Sequence, residues 1–547
     1  MDNQLKENKK NTKHSNSLAL FLIGSLIMTS LWGCASKNDN DSQDVKSTEV
    51  TEEIIEDDNS DNDDSASNSD SSSDNERSKE NSSDASNYKT NHLTKDDINV
   101  NETYQDDGDG SHAITADGES ADYSDIAIYK TGEADGDEAD FYGENAAVFA
   151  TNGATLDLSG IYVETDGTHA NGVFSYGEGT TVNISDSVIE TSGNCSGGLM
   201  TTGGGTMNAS NLTINTSGNS SAAIRSDRGG GTVDVDGGYY KTSGTGSPVI
   251  YSTADITVSN AYLESTASQG VVVEGKNSVT LNDCELVADN NTKNSDKSDT
   301  YQAVMIYQSM SGDAANGTSS FDMTGGSLTN ANGDIFFVNN TACTINLEDV
   351  TITNNDSDGV FLRAEAAGWG NSGSNGGKVT LTAVNQNING DMIVDEVSAL
   401  NLYLTKETAF VGAINSDGTA GEVYVEIDDS STWTLTEDSY ITSLTCTAGS
   451  INLNGHILYV DGEVYTDGSD STGEAIEIIS ESNLGEASDG MPDGEAPDGM
   501  PGDDSNGSDG NGSSGGPSGN GGTPPEKPSG EGGGHGGNGD TPPEKPN

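Results

Sequence analysis

Residues 181–202 read TVNISDSVIETSGNCSGGLMTT, and residues 206–227 read TMNASNLTINTSGNSSAAIRSD. Set one above the other, they align with an offset of 25 residues. Each segment opens on an alternating strand, Val182-Asn183-Ile184 or Met207-Asn208-Ala209. A residue that tolerates left-handed backbone follows, Asp186 or Asn211, and the segment ends on a second apolar column, Leu199 or Ile224. Extended along the chain, that column holds Val148, Val173, Leu199, Ile224, Val249, Val271, Val304, Phe336, Val360 and Met392. Its spacings are 25, 26, 25, 25, 22, 33, 32, 24 and 32. A period of this length built from strand-like units describes stacked supersecondary structure.

Three strands fit in each repeat. The first presents the column and the position two later, as in Val271/Val273 and Val304/Ile306, to the interior. The second alternates apolar and polar, as in Leu156-Asp157-Leu158, Val233-Asp234-Val235 and Ile345-Asn346-Leu347. Two residues past it stand Gly160, Asp186, Asn211, Gly237, Asn260, Asp283, Gly325 and Asp349, each Gly, Asn or Asp. A one-residue left-handed corner once per coil explains that restriction. The third strand follows, with Ile161/Val163, Leu212/Ile214 and Ala261/Leu263 inward. Three strands per coil predict an all-β, right-handed parallel β-helix of about 10 or 11 coils over residues 97–398. A C-terminal β cap with hairpin-like strands is expected over 399–470.

The flanks differ in composition. A basic segment with Lys6, Lys9, Lys10 and Lys13 precedes an apolar run from Leu18 to Trp32, which reads as a signal peptide over 1–33. Between Asp39 and Asp84 there are 17 acids against three bases, a composition too polar to offset its ordering entropy. Residues 34–96 are therefore expected to form a disordered acidic tether. Residues 471–547, rich in Gly, Pro and Asp with a repeated TPPEKP, are expected to form a disordered tail.

Acids outnumber bases 90 to 22, a net charge of −68, which excludes nucleic acid as a partner because phosphate binding needs Lys/Arg patches. Cys195, Cys284, Cys343 and Cys446 show no zinc-type spacing, and no His pair, nucleophile elbow or phosphate loop appears. Four Arg occur in the chain, and Arg225, Arg228 and Arg363 fall in the repeats; they are candidates for pairing with an acidic sugar or with neighbouring acids. Outward ladders that include Asp157, Asn183 and Asp234 offer oxygen ligands to calcium, or simply a solvated amide ladder. Outward slots of the first strand hold Phe149, Phe174, Met200, Arg225, Ile250, Val272, Met305, Phe337, Phe361 and Ile393, with Tyr176 and Tyr307 two residues on. Such an apolar ladder either binds something elongated or lies under another segment of the chain. Tyr162, Tyr239 and Tyr262 on the third strand form a second aromatic platform.

The stacked coils and Asn/Asp/Gly corners resemble the pectate-lyase-like right-handed β-helix superfamily. The run Leu31-Trp32-Gly33-Cys34 resembles a bacterial lipoprotein processing motif, which implies lipidation of Cys34 and membrane anchoring at the cell surface. The whole layout resembles β-helical surface lipoproteins of Gram-positive anaerobic bacteria, some of them carbohydrate-binding. The resemblance implies noncatalytic binding of a polysaccharide or adhesion to a host or neighbouring cell. A polysaccharide lyase or hydrolase acting on an acidic polymer is the alternative, and a structural stalk the third. Self-association along the apolar ladder is left open, and no catalytic residue is singled out.

Overall fold

The computed structural model describes residues 84–478 apart from 294, 296 and 420. The expected signal peptide, Cys34, and most of the tether and tail lie outside those residues. The described chain is a right-handed parallel β-helix. First strands form an 11-stranded sheet running from Ile114–Asp117 to Met392–Val394. Second strands, and third strands as far as Thr351–Asn354, belong to one bent 21-stranded sheet, because Gly205–Thr216 and Gly231–Thr242 pass through the corner without a break; the later third strands, from Asn387–Asn389 to Ile451–Asn452, form a separate four-stranded sheet.

The corner explains the bend. Gly160, Asp186, Asn211, Gly237, Asn260, Asp283, Gly325 and Asp349 all have positive φ, between 48° and 73°. That region is costly for most side chains and accessible to Gly, Asn and Asp, so the sequence restriction follows from the backbone. Corner side chains also tie successive coils together: Asn211 Nδ2 donates to Asp186 Oδ1 at 2.7 Å, and Asn260 Nδ2 to Asp236 Oδ1 at 2.8 Å.

The interior is one continuous apolar core from Ile114 to Tyr465. Val148, Val173, Leu199 and Ile224 stack in register as expected. At two rungs the register differs. Ile224 pairs with Ile250, which pairs with Val271, so Ile250 rather than Val249 carries the column. Phe336 pairs with Leu362 rather than Val360, and Leu362 with Met392. Val249-Ile250-Tyr251 and Val360-Phe361-Leu362 are unbroken apolar runs, in which alternation cannot mark the face. Ile250 and Phe361 therefore belong to the core, and Tyr251 and Arg363 take their outward places.

A ladder of small residues closes each coil after the third strand. A Cβ built on Gly218 would stand 1.8 Å from the Gly193 carbonyl oxygen, so the chain there is packed rung on rung and admits only glycine. Ser196, Ser221 and Ser247 donate to the carbonyls of Gly167, Gly193 and Gly218 at 2.8, 3.1 and 2.8 Å, satisfying buried acceptors in the same turn.

Past residue 398 most strands are not hairpins. Ala399–Thr405, Glu422–Ile427 and Ser443–Thr445 continue the parallel ladder, and among the described strands one antiparallel hairpin, Leu458–Val460 with Glu463–Val464, closes the end. Ser471 bridges Cys446, and Ile476 exchanges two 2.9 Å hydrogen bonds with Asn401, so the first residues of the expected tail lie along the helix. At the other end, residues 84–98 are ordered too, as a helix at Asp84–Thr90 and a 3-10 turn at Lys95–Asp97. Among the described residues no helix is long and apolar enough to cross a membrane.

Candidate functional site

Three faces were candidates for a lateral site, and two of them are covered. On the first-strand face the outward column is Phe149, Phe174, Met200, Arg225, Tyr251, Val272, Met305, Phe337, Arg363 and Ile393. Phe174, Val272 and Phe337 are fully buried and Met305 nearly so. The cover is built from the long connections. Ala146 closes over Phe174 and Met200. Trp369, from the 366–377 insertion, meets Tyr307 edge-on at 5.2 Å and joins Val272, Met305 and Phe337 in a second apolar cluster. Phe149 and Tyr176 stay half-buried, stacked with His112 and each other. An exposed aromatic ladder built on Phe174, Tyr307, Phe337 and Phe361 is therefore corrected: the first three lie under insertions and Phe361 points into the core.

The arginines fasten that cover. Arg225 meets Asp227 at 2.7 Å and Asp140 at 3.4 Å. Arg228 lies over the Phe141 ring at 3.8 Å and pairs with Asp313 at 2.7 Å and Asp137 at 3.1 Å, pinning the 309–319 insertion to the short helix Asp137–Phe141. Arg363 pairs with Asp334 at 2.6 Å and with Glu365 at 3.5 Å. Beneath the same cover, Tyr251 and Tyr307 donate to the buried Glu274. Burial pushes the Glu274 carboxyl up, against the pull of the hydroxyls of Ser309, Tyr251 and Tyr307. Burial likewise lowers His169, whose ring lies 3.7 Å from Asp140. Arg225, Glu274 and His169 are buried beneath the cover, while Arg228 and Asp137 fasten it from its solvent-facing edge.

The tyrosines of the third-strand face, Tyr162, Tyr239 and Tyr262, are covered by residues 84–98.

The second-strand face is open. A groove of about 800 Å³ runs along it from Asp122 to Asn260. One wall is the column Asp122, Asp157, Asn183, Asn208, Asp234 and Thr257; the other is Ser124, Ser159, Ser185, Ser210, Asp236 and Ser259. Six rungs at the usual strand spacing make it roughly 24 Å long. Strand alternation turns these polar side chains outward while Leu158, Ile184 and Val235 fill the core below, and the left-handed corner folds the third strand away to leave the trough. The polar wall is internally ordered: Asn183 Nδ2 donates to Asp157 Oδ1 at 2.7 Å, and Asn208 Nδ2 to Asn183 Oδ1 at 2.8 Å. Four carboxylates line the groove, and no Lys, Arg or His does.

The groove gathers the residues weighed for calcium, but not as one site. Asp157 and Asp234 stand three rungs apart, roughly 14 Å, and cannot share an ion. Asn183 turns its amide donor, not its oxygen, toward Asp157. Among the described residues no three His, Cys, Asp or Glu side chains converge as a metal site. The column is an amide and carboxylate ladder. Alternation showed these residues to be outward; that they wall a trough depends on the angle between the two strands, which no single residue encodes.

No family model, curated protein or solved structure matches the chain. The β-helix is thus the class that the structure defines, and function rests on the groove.

Proposed function

We propose that the protein is a surface-displayed recognition module whose second-strand groove holds a linear, uncharged polysaccharide without cleaving it. The observation that carries the reading is the fixed lattice of hydroxyl, amide and carboxylate groups along about 24 Å of open groove. A linear glycan presents hydroxyls at regular intervals, and a rigid ladder of donors and acceptors meets them with little ordering cost on the protein side. Aromatic stacking, the usual companion of sugar binding, contributes little at the groove: the tyrosine and phenylalanine ladders are covered, and Tyr123, which lines one end, packs its ring against the core and edge-on to Tyr104 at 5.8 Å. Four carboxylates with no balancing cation disfavour polyanions, so an acidic polymer is the poorer ligand. The lining also lacks the Lys or Arg that a lyase of the pectate-lyase-like superfamily uses as its base. Assignment to that superfamily, lipidation at Cys34, export, and attachment to a host or neighbouring cell surface complete the proposal from sequence resemblance.

The test is a panel of neutral and acidic polysaccharides incubated with the full chain, with calcium or with a chelator. Retention and released unsaturated ends are read together. The proposal expects retention on neutral polymers, no product, and no dependence on chelator. Product formation overturns the noncatalytic part, and a chelator-sensitive response restores calcium to the site.

A further inference from the structure

The third-strand face is already occupied, and its occupant is a peptide of the same chain. Its outward column carries Tyr162, Tyr239 and Tyr262, and the neighbouring column carries Tyr129, Glu164, Glu190, Asn215, Lys241 and Glu264, with Lys241 pairing Glu264 at 3.2 Å and leaving Glu164 and Glu190 as the carboxylates that face the segment's cations. Residues 84–98 lie along these columns, running opposite to the order of the coils. Three side chains spaced three apart meet three tyrosine rings in turn. Lys89 Nζ is 5.1 Å from the centre of the Tyr262 ring. His92 stacks on Tyr239 at 4.2 Å and 15°. Lys95 Nζ is 4.1 Å from Tyr162 and 5.3 Å from Tyr129, and 3.2 Å from Glu164.

The receiving face is built beforehand. Tyr239 and Tyr262 stack parallel at 5.4 Å, and the Tyr162 hydroxyl donates to Glu164 at 2.7 Å and to Glu190 at 2.6 Å, fixing both carboxylates beside its ring. An aromatic face flanked by carboxylates is a cation site. The occupant is held loosely by comparison. Of residues 85–98 only Ala85 and Ile98 are buried, while Lys89 and Lys95 stay exposed. Exposed cation–π contacts and surface ion pairs are individually weak and screened by salt. A segment with few buried apolar groups opens before the core does.

We infer that this tyrosine–glutamate face is a docking site for a basic peptide segment of a partner protein, and that residues 84–98 are its cis-acting occupant. The partner motif is a cation, an aromatic or imidazole ring, and a second cation at three-residue intervals. Tethering gives the cis segment a high effective concentration, so a partner gains access when the segment is loosened.

The probe is a labelled peptide of residues 84–98, titrated onto the full chain and onto its K89E/K95E variant at low and high salt. Hydrogen exchange of residues 84–98 is followed in both. The inference expects faster exchange in the variant, and in the wild type as salt rises. It expects the peptide to bind the variant about tenfold or more tighter than the wild type at low salt, and this binding to weaken a few-fold with E164Q added and further as salt rises. Unchanged exchange in the variant overturns the loosely held occupant. Faster exchange without peptide binding overturns the docking site.

Discussion

Arg225 and Asp227 form an ion pair of 2.7 Å under the cover of the first-strand face, each side chain only 4% exposed. Asp140, on the short helix of the cover, is the second carboxylate on the same guanidinium, at 3.4 Å. Above about pH 7, where Asp227 is ionised, removing the cation leaves two buried carboxylates facing each other, a loss of about 3–5 kcal/mol for a broken buried pair. Arg225→Met is expected to lower the denaturation midpoint by that order and to speed hydrogen exchange first over residues 137–141. Full stability in the variant would show that the network holds nothing.

The same pair predicts a pH effect. Burial pushes the Asp227 carboxyl up to about 7, with Arg225 pulling it down and Asp140 and Asp313 adding to the rise. The unfolded chain releases that proton near pH 4. Between about pH 4 and pH 7 the folded state therefore holds a proton that the unfolded state has lost, and the group's contribution to stability falls as pH rises. Asp227→Asn removes that slope. The stability of the variant relative to wild type is expected to move in its favour from pH 4 to pH 7, read from melting curves across the range. Parallel curves would contradict the raised value.

Glycine at the closing turn is required by packing. Gly218→Ala puts a methyl 1.8 Å from the Gly193 carbonyl oxygen, so two rungs must part. A loss of about 1–3 kcal/mol is expected, typical of overpacking. At the corner the demand is conformational instead. Asn211 has φ 51°, and Asn211→Ala should cost about 1–2 kcal/mol while Asn211→Gly costs less. Denaturant titration of the three variants separates the two causes.

Trp369 anchors the 366–377 insertion over Tyr307. Trp369→Ala is expected to leave the β-helix folded and uncover Met305, Tyr307 and Phe337. Binding of an apolar dye should rise, and exchange should quicken in residues 366–377 alone. Cooperative loss of the whole fold would mean that the cover is part of the core.

The repeat was readable because its two constraints are local. Gly160, Asp186, Asn211 and their equivalents answer to one backbone conformation, and Leu156, Val182 and Val233 to strand alternation. Register failed at Val249 and Val360, where apolar neighbours on both faces erased the alternation. Phe174 and Phe337 were rightly placed outward, but their cover comes from Ala146 and Trp369, far away in sequence. The docking of residues 84–98 was hidden for the same reason: composition measures how a segment behaves alone, while Lys89, His92 and Lys95 are ordered by tyrosines of other coils. The groove is a matter of shape, set by the angle between strands.

The most direct test of the groove is to fill it. Asn183→Trp with Asn208→Trp places two large side chains on adjacent rungs of the polar wall, outside the core. Retention of the full chain and of this variant is compared on the neutral polysaccharide that the panel selects, with exchange confirming an intact β-helix. The account predicts that wild type is retained and the variant is not. Retention of the variant at wild-type strength, or no retention of the wild type on any polysaccharide, would contradict it.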